Sequence, residues 1–226
     1  MFEYASPADE SASPHALHTQ QGHHGHQAAL EDGLDFINTL DTDRGAVLDR
    51  IATAESALNW LFDHNLMHRD ALERLEKTAA ESPPVASRIA NRVRRVRDAM
   101  RELVEATVDR RPPRPEQLAE VNRALTAHYI YELVPALDGV SMDHRHEGDP
   151  VEGALARLAE SLARELSQGQ PERLRICAND TCDWVFADTS RTGKRKWCDM
   201  STCGNRAKAA RHRERQKAHD EGLASP

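Results

Sequence analysis

A chain of 226 residues is long enough for one medium-sized domain and one small one. With 39% hydrophobic and 30% charged residues, it has the composition of a globular protein, and no stretch approaches the roughly 18 apolar residues that a membrane span needs. The net charge of −7 hides an asymmetry. Residues 173–217 contain 12 Lys and Arg against 5 Asp and Glu, whereas residues 1–172 contain 18 against 30. Only the basic segment therefore suits a nucleic-acid partner.

The N-terminal 27 residues are rich in Ser, Ala, Pro, Gln and His, which predicts a disordered tail. Its histidines could bind transition metals weakly, although a solvated tail is the commoner outcome of this composition. The first ten residues are acidic and lack an apolar segment, so we expect no secretory signal and a cytoplasmic chain. Thiols stay reduced in that compartment.

From residue 28 onward apolar residues recur at spacings of three and four, which predicts a mainly α-helical domain. The clearest pattern covers residues 85–110 and is stopped by Pro112 and Pro113. Its long apolar stripe is compatible with a homodimer interface or with an intramolecular core. The predicted helices cover residues 29–40, 47–62, 69–80, 85–110, 115–127 and 150–169.

Two β-forming segments interrupt the helical pattern. Residues 128–134 are rich in β-branched and aromatic residues, and residues 140–144 are a weaker candidate. Asp138-Gly139 between them is a turn signal, so a β-hairpin is predicted. A later Gly- and Pro-containing segment, residues 168–171, marks the best domain boundary. The expected organisation is a tail (1–27), a helical domain (28–170), a small module (171–219) and a flexible C-terminus (220–226).

The four cysteines of the chain lie within 27 consecutive residues, as two C-x4-C pairs separated by fifteen residues: Cys177, Cys182, Cys198 and Cys203. Each pair can hold one side of a tetrahedral ion, and four thiolates without an open position form a structural zinc site. An iron–sulfur cluster and four unliganded buried thiols are the alternatives. We expect one structural Zn²⁺, which would stabilise a module too small for a sufficient core.

Between the cysteine pairs, Trp184-Val185-Phe186 is predicted to form a strand, with Lys196-Trp197-Cys198 as its return strand. The predicted module is thus a β-hairpin followed by a basic helix. Trp184 and Trp197 could stack on bases, but in so small a module such residues more often form the core.

The segment after Cys203 is rich in Ala, Lys, Arg and Gln, which predicts a helix capped by Ser201 or Thr202. Lys and Arg neutralise phosphates, and Asn205 and Arg206 have donors suited to base edges. A basic helix paired with the acidic domain of the same chain is the alternative. The predicted nucleic-acid contacts are Arg191, Lys194, Arg195, Lys196, Asn205, Arg206, Lys208, Arg211, Arg213, Arg215 and Lys217.

With those residues in view, the C-terminal segment resembles the CGNR zinc finger, which is named for the motif seen here as Cys203-Gly204-Asn205-Arg206. The similarity extends over residues 173–216 and includes both cysteine pairs, residues 184–186 and residues 188–191. It implies a zinc-dependent, DNA-binding finger.

The N-terminal domain resembles the ABATE domain of bacterial proteins described as stress-induced transcription regulators, through residues 34–39, Leu-Asp-Phe-Ile-Asn-Thr. The resemblance implies a bacterial cytoplasmic regulator with a predominantly helical domain. The long His-rich leader before this motif departs from the pattern. Asp35 and Asn38 could belong to a ligand-sensing site, but helix capping or a buried hydrogen-bonded pair is the simpler interpretation.

The favoured function is a DNA-binding transcription regulator whose helical domain dimerises, senses a small-molecule effector or binds a partner. An RNA-binding accessory protein and a protein–protein adaptor are the alternatives. Exposed Trp184 and Trp197 would favour single strands, and buried ones would favour a duplex. An enzyme is not expected, because the sequence contains no nucleophile triad, carboxylate pair or open metal site above chance.

Overall fold

The computed structural model describes residues 28–43, 46–137 and 139–223. The predicted tail and its five histidines lie outside this part of the chain, as do residues 224–226. The elements are α1 (Leu30–Ile37), β1 (Leu40–Asp43), β2 (Ala46–Asp49), α2 (Ala54–Asp63), α3 (Arg69–Glu81), α4 (Pro83–Val108), α5 (Pro115–Ala124), β3 (His128–Ala136), β4 (Gly139–Glu147), α6 (Pro150–Gln168), β5 (Leu174–Ile176), β6 (Val185–Ala187) and α7 (Asn205–Leu223). The mainly helical fold class is confirmed.

The second predicted helix begins later than its apolar pattern suggested. Val47 lies in strand β2, which pairs with β1 in antiparallel register, and α2 starts only at Ala54. Thr53 determines that start, because its hydroxyl accepts a hydrogen bond from the backbone N–H of Ser56. The Ser56 hydroxyl in turn accepts one from the backbone N–H of Thr53. Val47 and Ile51 had the spacing of a helix, but Val47 lies in a strand and Ile51 lies in the segment that connects β2 to α2.

Helix α4 is the central helix of the domain. Its predicted stripe is buried, with Val93, Val96 and Met100 completely inaccessible to solvent. The stripe packs within the chain against α1, α2, α3, α5 and α6, so it is intramolecular core rather than a free dimer surface. Two turns before the end of α4, the buried carboxylate of Glu102 accepts hydrogen bonds from Arg111 and Arg114.

Helix α6 closes the core against α1 and α4, and buries Leu155, Leu158 and Leu162. Its contact with α1 is close at Gly33, where an added Cβ would lie 2.6 Å from the Ser161 hydroxyl oxygen. Glycine at this position therefore allows the two helices to approach closely. Asp149 caps α6 and Pro150 occupies its first turn.

The predicted β-hairpin is confirmed and is longer than expected. Strands β3 and β4 form a two-stranded antiparallel sheet of nine residues on each side, with Leu133 opposite Met142. The hairpin contacts α6 through both strands. It stands apart from the other two hairpins of the described chain, each of which is also a separate two-stranded sheet.

The strand pairing of the C-terminal module differs from the prediction. Strand β6 forms as expected, but its partner is β5, in register Ile176 opposite Val185, and the described residues 196–198 form no strand. Leu174 and Val185 are buried in the same core as the helices. The module therefore begins as an extension of the helical core, because β5 follows α6 after a single 3₁₀ turn.

Candidate metal centre and basic surface

The four cysteine sulfurs form one compact cluster, in which all four Sγ atoms lie within 4.8 Å of one another. Sγ of Cys198 is 3.8 Å from Sγ of Cys182 and 3.7 Å from Sγ of Cys203. Four ligands at the zinc–thiolate distance of about 2.3 Å in a tetrahedron would be separated by about 3.8 Å. The donor set and spacing therefore fit one zinc ion, and an iron–sulfur cluster would need thiolates spread over several iron atoms.

Backbone hydrogen bonds position the first pair of cysteines. The N–H of Cys177 donates to the carbonyl of Trp184 (2.9 Å), which continues the β5–β6 pairing to the first ligand. The N–H of Ala178 donates to the carbonyl of Lys196 (2.8 Å), which brings the second pair close. Asn179, which the sequence analysis did not single out, donates its side-chain amide to Sγ of Cys203 (3.3 Å). Such donors orient and stabilise thiolate ligands.

The electrostatics of the cluster suit a cation. Hydrogen bonds from the Cys182 and Cys198 thiols hold the pKa of Cys177 far below its usual range. The same contact with Cys177, together with the contact with Cys182 and burial, raises the pKa of Cys198. The neighbouring thiols thus stabilise one thiolate, that of Cys177. Deprotonation of a second cysteine would place two negative charges side by side. A bound divalent cation removes that repulsion, so this donor set is one that binds metal with release of protons.

Aromatic side chains enclose the cluster. Phe186 is buried against the cysteines, and Trp184 and Trp197 are half-buried against the same group. This placement agrees with their interpretation as core residues of the module. Arg211 of α7 lies over the Trp197 ring, with its guanidinium carbon 5.8 Å from the ring centroid, which links the helix to this core.

A buried amide joins the module to the helical domain. The Asn38 side chain donates to the carbonyl of Val185 (2.9 Å) and accepts from its N–H (2.8 Å). Asn38 is thus buried and hydrogen-bonded to the backbone of Val185, whereas Asp35 is exposed. Arg101 of α4 makes a second link, donating to the carbonyl of Asp183 at 2.9 Å. The sequence offered no signal for either partner, because both contacts span more than 80 residues.

The basic loop before the second cysteine pair is held by a buried aspartate. Asp188 accepts from the N–H of Ser190 (2.9 Å) and from the N–H of Arg195 (2.8 Å). Hydrogen bonding from Ser190, with a further contribution from Arg195, lowers the pKa of Asp188 to about 2. Gly193 has φ +61°, a backbone conformation that favours glycine. The loop thus has a defined shape, although it is not the tip of a hairpin.

The basic side chains of this loop divide into two groups. Arg191, Lys194 and Lys196 are exposed. Arg195 is used within the module: its guanidinium donates to the carbonyls of Trp197 and Cys198 and lies over the Phe186 ring, 4.9 Å from the centroid. Among the predicted nucleic-acid contacts, Arg195 therefore also has a structural role beside the metal ligands.

Helix α7 begins at Asn205, two residues after the fourth cysteine. A π-helical turn, Met200–Gly204, leads into it, and Asp199 caps that turn by accepting from the N–H of Thr202 (2.8 Å). Asp199, rather than Ser201 or Thr202, is therefore the cap; its side chain also accepts from both hydroxyls. The Asn205 amide donates to the carbonyl of Ser201 (2.9 Å), which joins the turn to the helix.

The predicted nucleic-acid contacts of α7 are exposed, namely Asn205, Arg206, Lys208, Arg211, Arg213, Arg215 and Lys217. Only Ala207 and Ala210 are half-buried between residues 205 and 217. A helix that is polar on all sides has no apolar face with which to pack on a core. It contacts the π-helical turn that precedes it, and Arg211 over the Trp197 ring adds a link to the module core.

No helix in the described part of the chain combines the length and apolar character required to cross a membrane. A comparison with curated protein sequences found no match for this chain.

Two family models match the chain. The CGNR zinc finger matches residues 173–216, which include all four cysteines and most of α7. The ABATE family, described as "Putative stress-induced transcription regulator", matches residues 33–169, from α1 to the end of α6. Neither description names an enzyme. Since the second match covers more than half of the chain, and the cysteine geometry agrees with the first, the chain belongs to the ABATE family and carries a C-terminal CGNR zinc finger.

Proposed function

We propose that the protein is a zinc-dependent transcription regulator that binds double-stranded DNA through the basic loop and helix α7. The family supports a regulatory role and the finger supports nucleic-acid binding. The observation that carries the proposal is the exposed basic helix that begins at Asn205, two residues after the candidate metal ligand Cys203, and has no apolar face. We further propose that it acts in the bacterial cytoplasm, with the helical domain responding to an effector or a partner.

The dimensions of the helix suit a DNA groove. Residues 205–217 extend over roughly 20 Å at 1.5 Å per residue, and the major groove of B-DNA, about 12 Å wide, admits an α-helix. On one side of the helix, the half-buried Ala207 and Ala210 have short side chains that add little to its diameter. The long basic side chains occupy the remaining directions, where they can reach phosphates on both sides of a groove.

The charge distribution opposes binding through the helical domain. Residues 1–172 carry twelve more acidic than basic residues, whereas the finger carries a balance of +7. DNA would therefore be attracted to the finger and repelled from the rest of the chain. The acidic domain would also favour an orientation in which α7 points to the nucleic acid.

The half-buried tryptophans favour a duplex over single-stranded RNA. Trp184 and Trp197 pack against the cysteine cluster, and Arg211 lies over the Trp197 ring. Recognition of single strands uses aromatic faces on which bases stack. Because these two rings are occupied by the module itself, contact through the backbone and groove edges of a duplex is the better-supported mode.

The test is a selection of sheared genomic DNA by the zinc-loaded protein, followed by sequencing. The Cys198→Ser variant is run in parallel, with zinc content measured for both proteins. We expect recurrent sites that the wild type enriches and the variant does not. Wild-type protein that holds zinc but enriches no duplex site would contradict the proposal, and enrichment of RNA in a matched selection would replace it.

A further inference from the structure

The β3–β4 hairpin has two different faces. Its strands pair with each other alone among the described strands, so both outer edges lack a neighbouring strand. Two-stranded hairpins of this kind have marginal stability unless a face packs against something else. The antiparallel register assigns each side chain to a face, because alternate residues point to opposite sides and cross-strand partners share a side.

One face is directed to the helical domain. It contains the pairs Val134 with Ser141 and Glu132 with Asp143. Val134, Ser141 and Asp143 are half-buried, and a carboxylate oxygen of Asp143 lies 3.9 Å from Nε2 of His68, the residue before α3. These observations show which side of the hairpin packs against its own chain.

The opposite face is apolar and exposed. It contains the pair Leu133 and Met142 and the pair Pro135 and Val140, with Tyr131 next along the strand. Leu133 and Val140 are each 72% exposed and Met142 is 47% exposed. Leu137, beyond the end of β3, is fully exposed. A contiguous apolar patch of this kind marks an interaction surface.

We propose that this face, called the hairpin face and formed by Tyr131, Leu133, Pro135, Val140 and Met142, binds the same face of a second copy of the chain. The five residues carry no charge in a domain with a strongly acidic balance. Two acidic domains repel each other wherever charges meet, and an uncharged apolar face is where they can approach. A basic partner would instead be recognised through carboxylates.

The size of the face agrees with a dimer. Together with Leu137 it exposes roughly 600 Å² on each copy, so complete burial of both faces would remove up to about 1,200 Å² from solvent, the lower end of stable interfaces. A twofold axis across the hairpin would bring the same patch of each copy into contact, as in most homodimers. The inference is independent of the proposed DNA binding, although a dimer would present two α7 helices.

The test is the mass of the zinc-loaded full chain in solution without DNA, measured by sedimentation equilibrium from about 1 to 100 µM. We expect a dimer for the wild type. Val140→Asp should raise the dissociation constant at least about 100-fold, because an unpaired carboxylate would be buried at the centre of the interface. Val47→Asp is the matched control, since Val47 is also 72% exposed and lies in the β1–β2 hairpin.

A wild type that stays monomeric over the whole range would overturn the proposal and assign the hairpin face to a different partner. Equal dissociation by Val140→Asp and Val47→Asp would also overturn it. Far-UV circular dichroism and zinc content of each variant report on folding. If Val140→Asp misfolds, the dissociation constant is measured for Met142→Asp on the same face instead. A dimer that this substitution does not weaken would contradict the assignment.

Discussion

The side-chain amide of Asn38 forms two hydrogen bonds with the backbone of Val185, one as donor (2.9 Å) and one as acceptor (2.8 Å), in a buried position. The amide thus occupies the place that a neighbouring strand would take beside β6. Asn38 follows α1, and Val185 lies between the two cysteine pairs. The contact therefore joins the first helix of the ABATE domain to the part of the finger that surrounds the metal ligands.

Replacement of Asn38 by alanine should destabilise the whole chain. The substitution leaves the buried N–H and carbonyl of Val185 without partners, and each unsatisfied group costs about 1–3 kcal/mol. We expect the free energy of unfolding to fall by about 2–5 kcal/mol in urea denaturation. Asn91→Ala, on the exposed side of α4, is the control and should have little effect. Equal losses for the two variants would show that the buried contact contributes nothing.

Removal of zinc by a chelator should loosen the finger in a graded way. We expect residues 188–204 and the start of α7 to need the metal for their order, whereas β5 and β6 are also held by the helical core. Hydrogen exchange should therefore rise strongly from residue 188 onward and remain slow in α4 and α6. If the exchange rate of α7 were the same before and after chelation, the cysteine cluster would not support the helix.

Arg195 should affect zinc affinity more than its exposed neighbour Lys194. The Arg195 guanidinium contacts the carbonyls of Trp197 and Cys198 beside a ligand. Supporting contacts of this kind are worth about 10- to 100-fold in metal affinity. Competition with a chromophoric chelator should show such a loss for Arg195→Ala and almost none for Lys194→Ala. A comparable loss for both would refute the assigned role.

Charge removal on α7 should reduce the salt dependence of DNA binding. Each phosphate contact contributes about −0.9 to the slope of log affinity against log salt. Replacement of Arg213 or Arg215 by glutamine should therefore make that slope less steep by about one unit. Glu214→Gln, on the same exposed helix, removes a negative charge and should strengthen binding slightly. Slopes that do not change in the arginine variants would place the DNA contacts elsewhere.

Glu102 should make stability depend on acid pH. Hydrogen bonds from Arg111, and then from Arg114, lower its pKa to about 2 from an ordinary 4.5. A lowered carboxyl pKa stabilises the fold above pH 4.5, and this contribution is lost as pH falls toward 2. Glu102→Gln should lower the melting temperature by several degrees at pH 7, with a difference that shrinks in acid.

Glu73→Gln, on the exposed side of α3, is the matched control for that series. This variant keeps the same cysteines, so any loss of stability that comes from their protonation in acid affects it equally. The comparison between the two variants therefore isolates the contribution of Glu102. A constant difference between the Glu102→Gln and wild-type melting temperatures from pH 7 to pH 3 would contradict the assignment.

Features that depend on local patterns could be read from the sequence. The spacing of Cys177, Cys182, Cys198 and Cys203 predicted the four-thiolate cluster, because two cysteines separated by four residues can meet at one ion when the chain between them bends. Apolar periodicity located α4 within two residues of its observed ends, and a turn signal between two β-forming segments predicted the β3–β4 hairpin. The basic helix followed from composition.

Pairings between distant segments were decided only by the tertiary structure. The β5–β6 pairing replaced the expected return strand at residues 196–198, because Leu174 and Val185 gain burial in the helical core that residues 196–198 cannot reach. Likewise, Asn38 and Val185 are 147 residues apart, and the identity of either residue does not predict its partner. The sequence by itself determined the metal ligands and the charge of the finger, whereas long-range burial and hydrogen bonding decided how the finger is attached to the ABATE domain.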